Sequence, residues 1–268
     1  MQEVRLYITL ICDANNLVRN GVNDWIACQQ KTILLRDGDV HLWCAFLDNA
    51  QYDKSFEKIL SEDELARAAR LIQSVDCARF IHSKIILRQV LARYLAISPE
   101  KIQFKTNQHG KPFIPGSIIQ FNLSHSGDCV FIGVTLHQYI GVDVEKTRKN
   151  QHYLALAKRF FTASEYTAIN NMDDFYRCWT RKEAFIKATG LGLSFGLSNF
   201  EVAVSELNSQ QSALISINNN TADAKQWMLQ SIMLDHTAAN YFAAVAVQNN
   251  QNDLRIICRR FVVGNQVT

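Results

Sequence analysis

Beyond residue 38 the chain moves between two hydrophobic periods, and each change of period marks an element. The run VHLWCAF at residues 40–46 is almost wholly apolar and predicts a buried strand. Ser61, with Glu64 three residues later ahead of LARAARLI, has the form of a capping box and opens a helix. Residues 77–95 set Phe80, Ile81, Leu87, Val90, Leu91 and Tyr94 near helical spacing, with Arg79, Lys84, Arg88 and Arg93 at other angles, so a basic amphipathic helix is predicted. Strand periodicity follows in KIQFKT, SIIQFNLS, DCVFIGVTL and YIGVDVEK, separated by NQHGKPFIPG and SGD, whose Gly and Pro mark turns. Helix returns in HYLALAKRFF, in TASEYTAI with Thr162 and Glu165 placed as a capping box, and in FYRCWTRKEAFIKAT. That last helix starts near Asp173 or Asp174 and stops at Gly190, a suitable residue just past a helix end. FEVAV, ALISI, KQWMLQSIML, YFAAVAVQ and LRIICRRFVV are strand-like. The sum is an α+β chain, helices laid on antiparallel strands, in two halves at residues 38–140 and 141–268. Residues 1–37 stand apart as an N-terminal extension.

Composition narrows the partners. Of 268 residues 48% are hydrophobic and 20% charged, enough to build a sizeable core. A formal charge of +3 with scattered basic residues gives no case for nucleic acid and only a modest preference for acidic partners. The seven cysteines form no CxxC pair and sit mostly in apolar runs, so they read as buried thiols of a reducing cytoplasm. The opening MQEVRLYITLICDANN has neither a cleavage site nor enough apolar residues to span a bilayer, so neither export nor a membrane partner is expected.

Three stretches could carry chemistry. In IGVDVEK a strand would turn Asp143 and Glu145 to one face and Val142 and Val144 to the other. The two carboxylates suit either a solvated surface or a hard cation such as Mg²⁺, which takes one or two carboxylates and completes its shell with water and phosphate oxygens. On the helix, Trp179, Glu183 and Lys187 rise along one face at intervals of four, with Lys182 nearby. That is the spacing of a simple surface ion pair, though the tryptophan and its apolar neighbours favour a stripe facing a cleft. In FNLSHSGD, Ser124 and His125 end a strand before Gly127. Neighbours along a strand face opposite ways, so a nucleophilic Ser/His dyad is disfavoured. Phosphate binding, together with Lys111 and Arg79, suits them better.

Taken together, GKPFIP, FNLSHS, IGVDVEK, RFFTASEY and WTRKEAFIKATGLGL, in this order, resemble the Sfp-type 4′-phosphopantetheinyl transferases, with a layout nearest the family's cyanobacterial heterocyst-glycolipid member. The resemblance covers about residues 38–247. It implies two similar α+β halves related by a pseudo-two-fold axis, with coenzyme A and Mg²⁺, or Mn²⁺ in its place, in the cleft between them. It implies transfer of the phosphopantetheine arm onto a serine of an apo acyl or peptidyl carrier protein, with release of adenosine 3′,5′-bisphosphate, by an enzyme working as a monomer. Carried over by position, Asp143, Glu145 and Glu183 would hold the metal, and Glu183 would be the base, with Lys187 on the transferred phosphoryl group. Lys182 would fix the glutamate or the phosphate. His125 and Ser124 would meet the 3′-phosphate, and Lys111 and Arg79 the adenine nucleotide end. Where some relatives carry lysines on the first helix, this chain has Glu64, with Arg67 three residues on. Two other readings use the same residues: a Mg²⁺-dependent phosphodiesterase that hydrolyses coenzyme A, and a non-catalytic module that binds coenzyme A or a carrier protein.

Overall fold

Strands that are apolar on both faces need cover on both sides, and the protein supplies it as four layers. The computed structural model describes residues 25–47, 54–148, 152–207, 211–234, 241–249 and 254–261. The strands are β1 (Ile26–Ala27), β2 (Asp39–Phe46), β3 (Lys105–Thr106), β4 (Pro112–Phe113), β5 (Ile119–Ser126), β6 (Cys129–Leu136), β7 (Ile140–Lys146), β8 (Phe200–Val202), β9 (Leu214–Ile217), β10 (Trp227–Ile232), β11 (Tyr241–Gln248) and β12 (Arg255–Arg260). The helices are α1 (Glu62–Ala69), α2 (Ser74–Leu95), α3 (Tyr153–Phe160), α4 (Ala163–Ala168), α5 (Met172–Thr189) and α6 (Thr221–Ala224). None of them is long and apolar enough to cross a membrane.

One sheet runs β1-β12-β2-β6-β5 and a second runs β10-β11-β7, with two small ribbons, β3-β4 and β8-β9. Side chains alternate between faces along each strand. Trp43 and Ala45 of β2, with Val130, Ile132 and Val134 of β6, meet Ile86, Leu87, Val90 and Leu91 of α2. Val40, Leu42 and Cys44, with Cys129 and Phe131, turn the other way onto Ile140, Val142, Val144, Val245 and Val247 of the second sheet. The far face of that sheet, Leu229, Ala244 and Ala246, packs with Ala184, Phe185 and Ala188 of α5. The order is therefore α2, first sheet, second sheet, α5.

Both expected capping boxes form, at Ser61/Glu64 and Thr162/Glu165. Helix α5 is capped by Asn171, just ahead of the expected start, and ends on Gly190 in the left-handed conformation. Helix α2 begins three residues before the expected position, at Ser74. The strand-like LRIICRRFVV, expected with the second half, crosses back instead. There β12 pairs in parallel with β2 and with β1, so the first sheet is mixed and not purely antiparallel. The reason lies at β2, whose edge would otherwise be open: β12 satisfies it, and Arg255 places Nε and Nη2 on Oδ1 of the buried Asp39 at 3.0 and 2.7 Å. Of the N-terminal extension, Ile26–Ala27 adds the outermost strand, and residues 1–24 lie outside the described residues.

Candidate active site

The two sheets meet at their edge strands, β5 and β7, and no backbone ladder joins them. Side chains do it. Alternate β5 residues face β7: Asn122 Oδ1 accepts the Val142 N–H at 2.9 Å, Ser124 Oγ that of Val144 at 3.4 Å, and Ser126 Oγ that of Lys146 at 3.1 Å. Each buried β7 amide thus finds an acceptor, as buried backbone donors must. The two hydroxyls then donate outward, Ser124 to Asp143 Oδ1 at 2.9 Å and Ser126 to Glu145 Oε2 at 2.8 Å. The joint between the halves and the carboxylate site are one structure.

Helix α5 completes it because Gly141 lets the helix lie against β7. A Cβ there would run into the Ala184 carbonyl and the Ala188 amide and Cα. At this approach Lys187 Nζ reaches Asp143 Oδ1 at 2.6 Å and Ser124 Oγ at 3.0 Å, while Glu183 lies one turn earlier on the same face. Trp179, the next residue along that stripe, packs against Phe160, Phe161 and Phe175.

The electrostatics fit a site built for charge. Burial raises the Glu183 pKa, and the charges of Asp143 and Glu145 add to it against the opposing Lys187. Burial raises Glu145 as well, again with Asp143 adding, while the Ser126 hydroxyl, Lys187 and Arg148 work the other way. Asp143 is 2% exposed, and its Oδ2 is buried without a hydrogen-bond partner. No three His, Cys, Asp or Glu side chains among the described residues form a ready-made metal cage. An orphaned buried carboxylate oxygen beside two crowded glutamates nonetheless suits a hard divalent cation whose shell is completed by water and phosphate oxygens.

On the opposite face of β5 stands His125, an exposed residue near the end of the strand. Partial burial lowers its pKa, and the nearby cations Lys187, Lys84 and Arg79 lower it further, with Asp76 opposing. Three cations around one imidazole make an anion-attracting corner. Arg79 is tied at its end by Asp128, Nη2 to Oδ1 at 2.8 Å, and Lys146 reaches the other oxygen of that carboxylate at 3.2 Å.

Several expected ligands are placed differently. Lys182 is fully buried and turned away from Asp143: its Nζ meets Glu165 Oε1 at 2.7 Å and the carbonyls of Leu197 and Phe200 at 2.8 and 2.7 Å. One residue of helical rotation, about 100°, carries it from the Glu183 face toward α4 and β8. Lys111 donates to the carbonyls of Ile140 and Ala188 at 2.9 and 3.0 Å, tying the start of β7 to the end of α5, and burial brings its pKa down to about 8. Ser124 is engaged with Asp143 and Lys187, so its hydroxyl organises the carboxylate side of the site. Glu64 accepts from Arg88 Nε at 2.8 Å and caps α1, a structural role, and Arg67 lies over the Phe80 ring. Asn122 and Ser126 were not expected at the site, and Lys84 was expected only as part of a basic helix face. The first two carried a signal, since with Ser124 they occupy every second position of one strand.

These features have relatives. A family model described as 4′-phosphopantetheinyl transferase superfamily matches residues 139–246, and one described as 4′-phosphopantetheinyl transferase, N-terminal, matches residues 48–137. The chain belongs to the 4′-phosphopantetheinyl transferase superfamily. It is 34% identical over 234 residues to the 4′-phosphopantetheinyl transferase HetI of a Nostoc species, covering 83% of this chain and 93% of HetI. It is 34% identical over 157 residues to the 4′-phosphopantetheinyl transferase Sfp of Bacillus subtilis, covering 56% of this chain and 69% of Sfp. With the mouse L-aminoadipate-semialdehyde dehydrogenase-phosphopantetheinyl transferase the identity is 26% over 240 residues, covering 77% of this chain and 76% of that protein.

Proposed function

We propose that this protein transfers the 4′-phosphopantetheine arm of coenzyme A to a serine hydroxyl of an apo carrier protein, releasing adenosine 3′,5′-bisphosphate. The observation that carries the reading is the contact of Lys187 with Asp143 and Ser124 beside two glutamates of raised pKa, within a chain of this superfamily. Asp143, through its unpartnered Oδ2, together with Glu145 and Glu183, would hold Mg²⁺ or Mn²⁺. A divalent ion held there would neutralise charge on the diphosphate of coenzyme A.

The chain's own residues do the rest. The corner of His125, Lys84 and Arg79 attracts the phosphorylated nucleotide end and orients the diphosphate toward β7. Lys187 stays beside the phosphoryl group as charge moves from the attacking to the leaving oxygen. Glu183 takes the proton of the incoming serine, and a raised pKa makes it a better acceptor than an ordinary carboxylate. The serine oxygen forms the new P–O bond as the bond to the adenosine bisphosphate oxygen breaks. The joined halves lie within one chain and the described cysteines are free thiols that suit a reducing compartment, so we read the enzyme as a cytoplasmic monomer.

The test is intact-mass measurement of an apo acyl carrier protein after incubation with the protein, coenzyme A and Mg²⁺. One phosphopantetheinyl increment is expected, lost with EDTA and lost in a folded Glu183→Ala variant. Adenosine bisphosphate appearing without a change in carrier mass would indicate hydrolysis of coenzyme A. Undiminished transfer by Glu183→Ala would refute the role given to Glu183.

A further inference from the structure

We propose that Ser126 is a positioning residue for the ion site: its hydroxyl fixes the Glu145 carboxylate in the orientation that receives the divalent ion. The proposal rests on the reading given under Proposed function. Glu145 sits half-buried on β7 with Asp143 on the same face, so like-charge repulsion drives its side chain outward. The Ser126 hydroxyl opposes that drift, donating to Glu145 Oε2 at 2.8 Å while its oxygen accepts the Lys146 N–H at 3.1 Å. A hydroxyl has one proton and two lone pairs, so Ser126 can accept the Lys146 N–H and still give its proton to the glutamate.

The hydroxyl is itself held on a turn clamped from both halves. Gly127 follows at φ +55°, with the Lys146 side chain and the Tyr241 hydroxyl pressed where a Cβ would stand. The Asp128 N–H donates to Tyr241 Oη at 3.1 Å, and the Asp128 carboxylate lies between Arg79 of α2 and Lys146 of β7. Ser126 therefore cannot follow Glu145 if the glutamate swings away. A ligand oriented by a rigid outer partner holds an ion better than one free to rotate.

Binding of Mn²⁺, read by electron paramagnetic resonance on the full chain with and without coenzyme A, tests this apart from turnover. Ser126→Ala should weaken Mn²⁺ binding by about 10-fold or more, the scale of losing an outer-shell partner, and Ser126→Thr, which keeps the hydroxyl, should restore most of it. Asn122→Ala removes an equivalent joint bond that touches no carboxylate. It should lower the melting temperature while leaving Mn²⁺ affinity near wild type. Wild-type affinity in Ser126→Ala would overturn the proposal, and so would an equal loss in Asn122→Ala, since the joint alone would then account for it. A wild-type protein that binds Mn²⁺ and responds to Ser126→Ala as described, yet transfers nothing to any carrier, would leave this inference standing and sink the transferase reading. A wild-type protein that transfers but binds no Mn²⁺ would do the reverse.

Discussion

Two lysines five positions apart on α5 show how much a residue's setting decides. Lys187 is part-exposed and touches Asp143, whereas Lys182 is sealed against Glu165 with its Nζ 4.3 Å from the Phe200 ring centroid. Lys182→Met leaves the buried Glu165 carboxylate with only the Thr162 and Val202 N–H bonds, so the loss belongs near the low end of the about 3–5 kcal/mol for removing one partner of a buried pair. Lys187→Met leaves Asp143 with the Ser124 hydroxyl still donating to it, so the fold should survive and transfer should fall by orders of magnitude. Urea denaturation and carrier-modification rates measured on both variants check this. A stable, active Lys182→Met would contradict the burial argument, and an active Lys187→Met the catalytic one. The sequence showed that Trp179, Glu183 and Lys187 share a stripe, because helical spacing is local. It did not show which neighbouring lysine is inside, because Glu165, which decides that, sits on another helix.

At the scale of elements, the IGVDVEK strand was legible in detail: period two sends Asp143 and Glu145 one way and Val142 and Val144 into the core between the sheets, as the fold has them. The role of FNLSHS was legible only in part. His125 feels the charges of Lys187, Lys84 and Arg79, while Ser124 and Ser126 turn to carboxylates of β7, a partner across an edge that no local pattern reveals. The close approach of α5 to β7 is set at Gly141, and it yields an element-scale prediction. Gly141→Ala places a methyl against backbone atoms of α5 that cannot swing aside as a side chain can, so the helix must shift by about an ångström. The Lys187 to Asp143 contact rides on that helix beside Ala188, one of the residues the methyl meets. The variant should lose stability by about 1–3 kcal/mol through overpacking. Transfer should fall by more than stability accounts for, visible as a lower kcat in protein that is still fully folded by circular dichroism. A kcat at the wild-type level would mean that the helix position does not govern the site.

At the scale of the molecule, the halves are interleaved more than a linear reading suggests, since β12 returns from the second half to lie between β1 and β2. Hydrophobic patterning identified β12 as a strand, but strand partners depend on chain reversal, which patterning does not encode. The sheet order also separates stability from chemistry. From β12 to β5 is three strand steps, about 14 Å at the usual inter-strand spacing, so the C-terminal strand braces the first sheet far from the carboxylates. Arg255→Ala removes the guanidinium from Asp39, whose side chain is 5% exposed, although the Arg36 N–H still reaches it at 3.2 Å. Because Arg255 is 41% exposed, the loss belongs near the low end of the range of about 1–3 kcal/mol for a buried acceptor deprived of a partner. The expected outcome is a melting temperature lower by several degrees with kcat/KM for carrier modification unchanged. Deleting residues 254–268 goes further: it opens the whole edge of β2 and uncovers Val40, Leu42 and Cys44 alongside it, so soluble protein should be largely lost. Thermal melts and soluble yield distinguish the two changes. An Arg255→Ala protein that melts like wild type yet turns over slowly would mean that the far edge of the first sheet is coupled to the site across three strands.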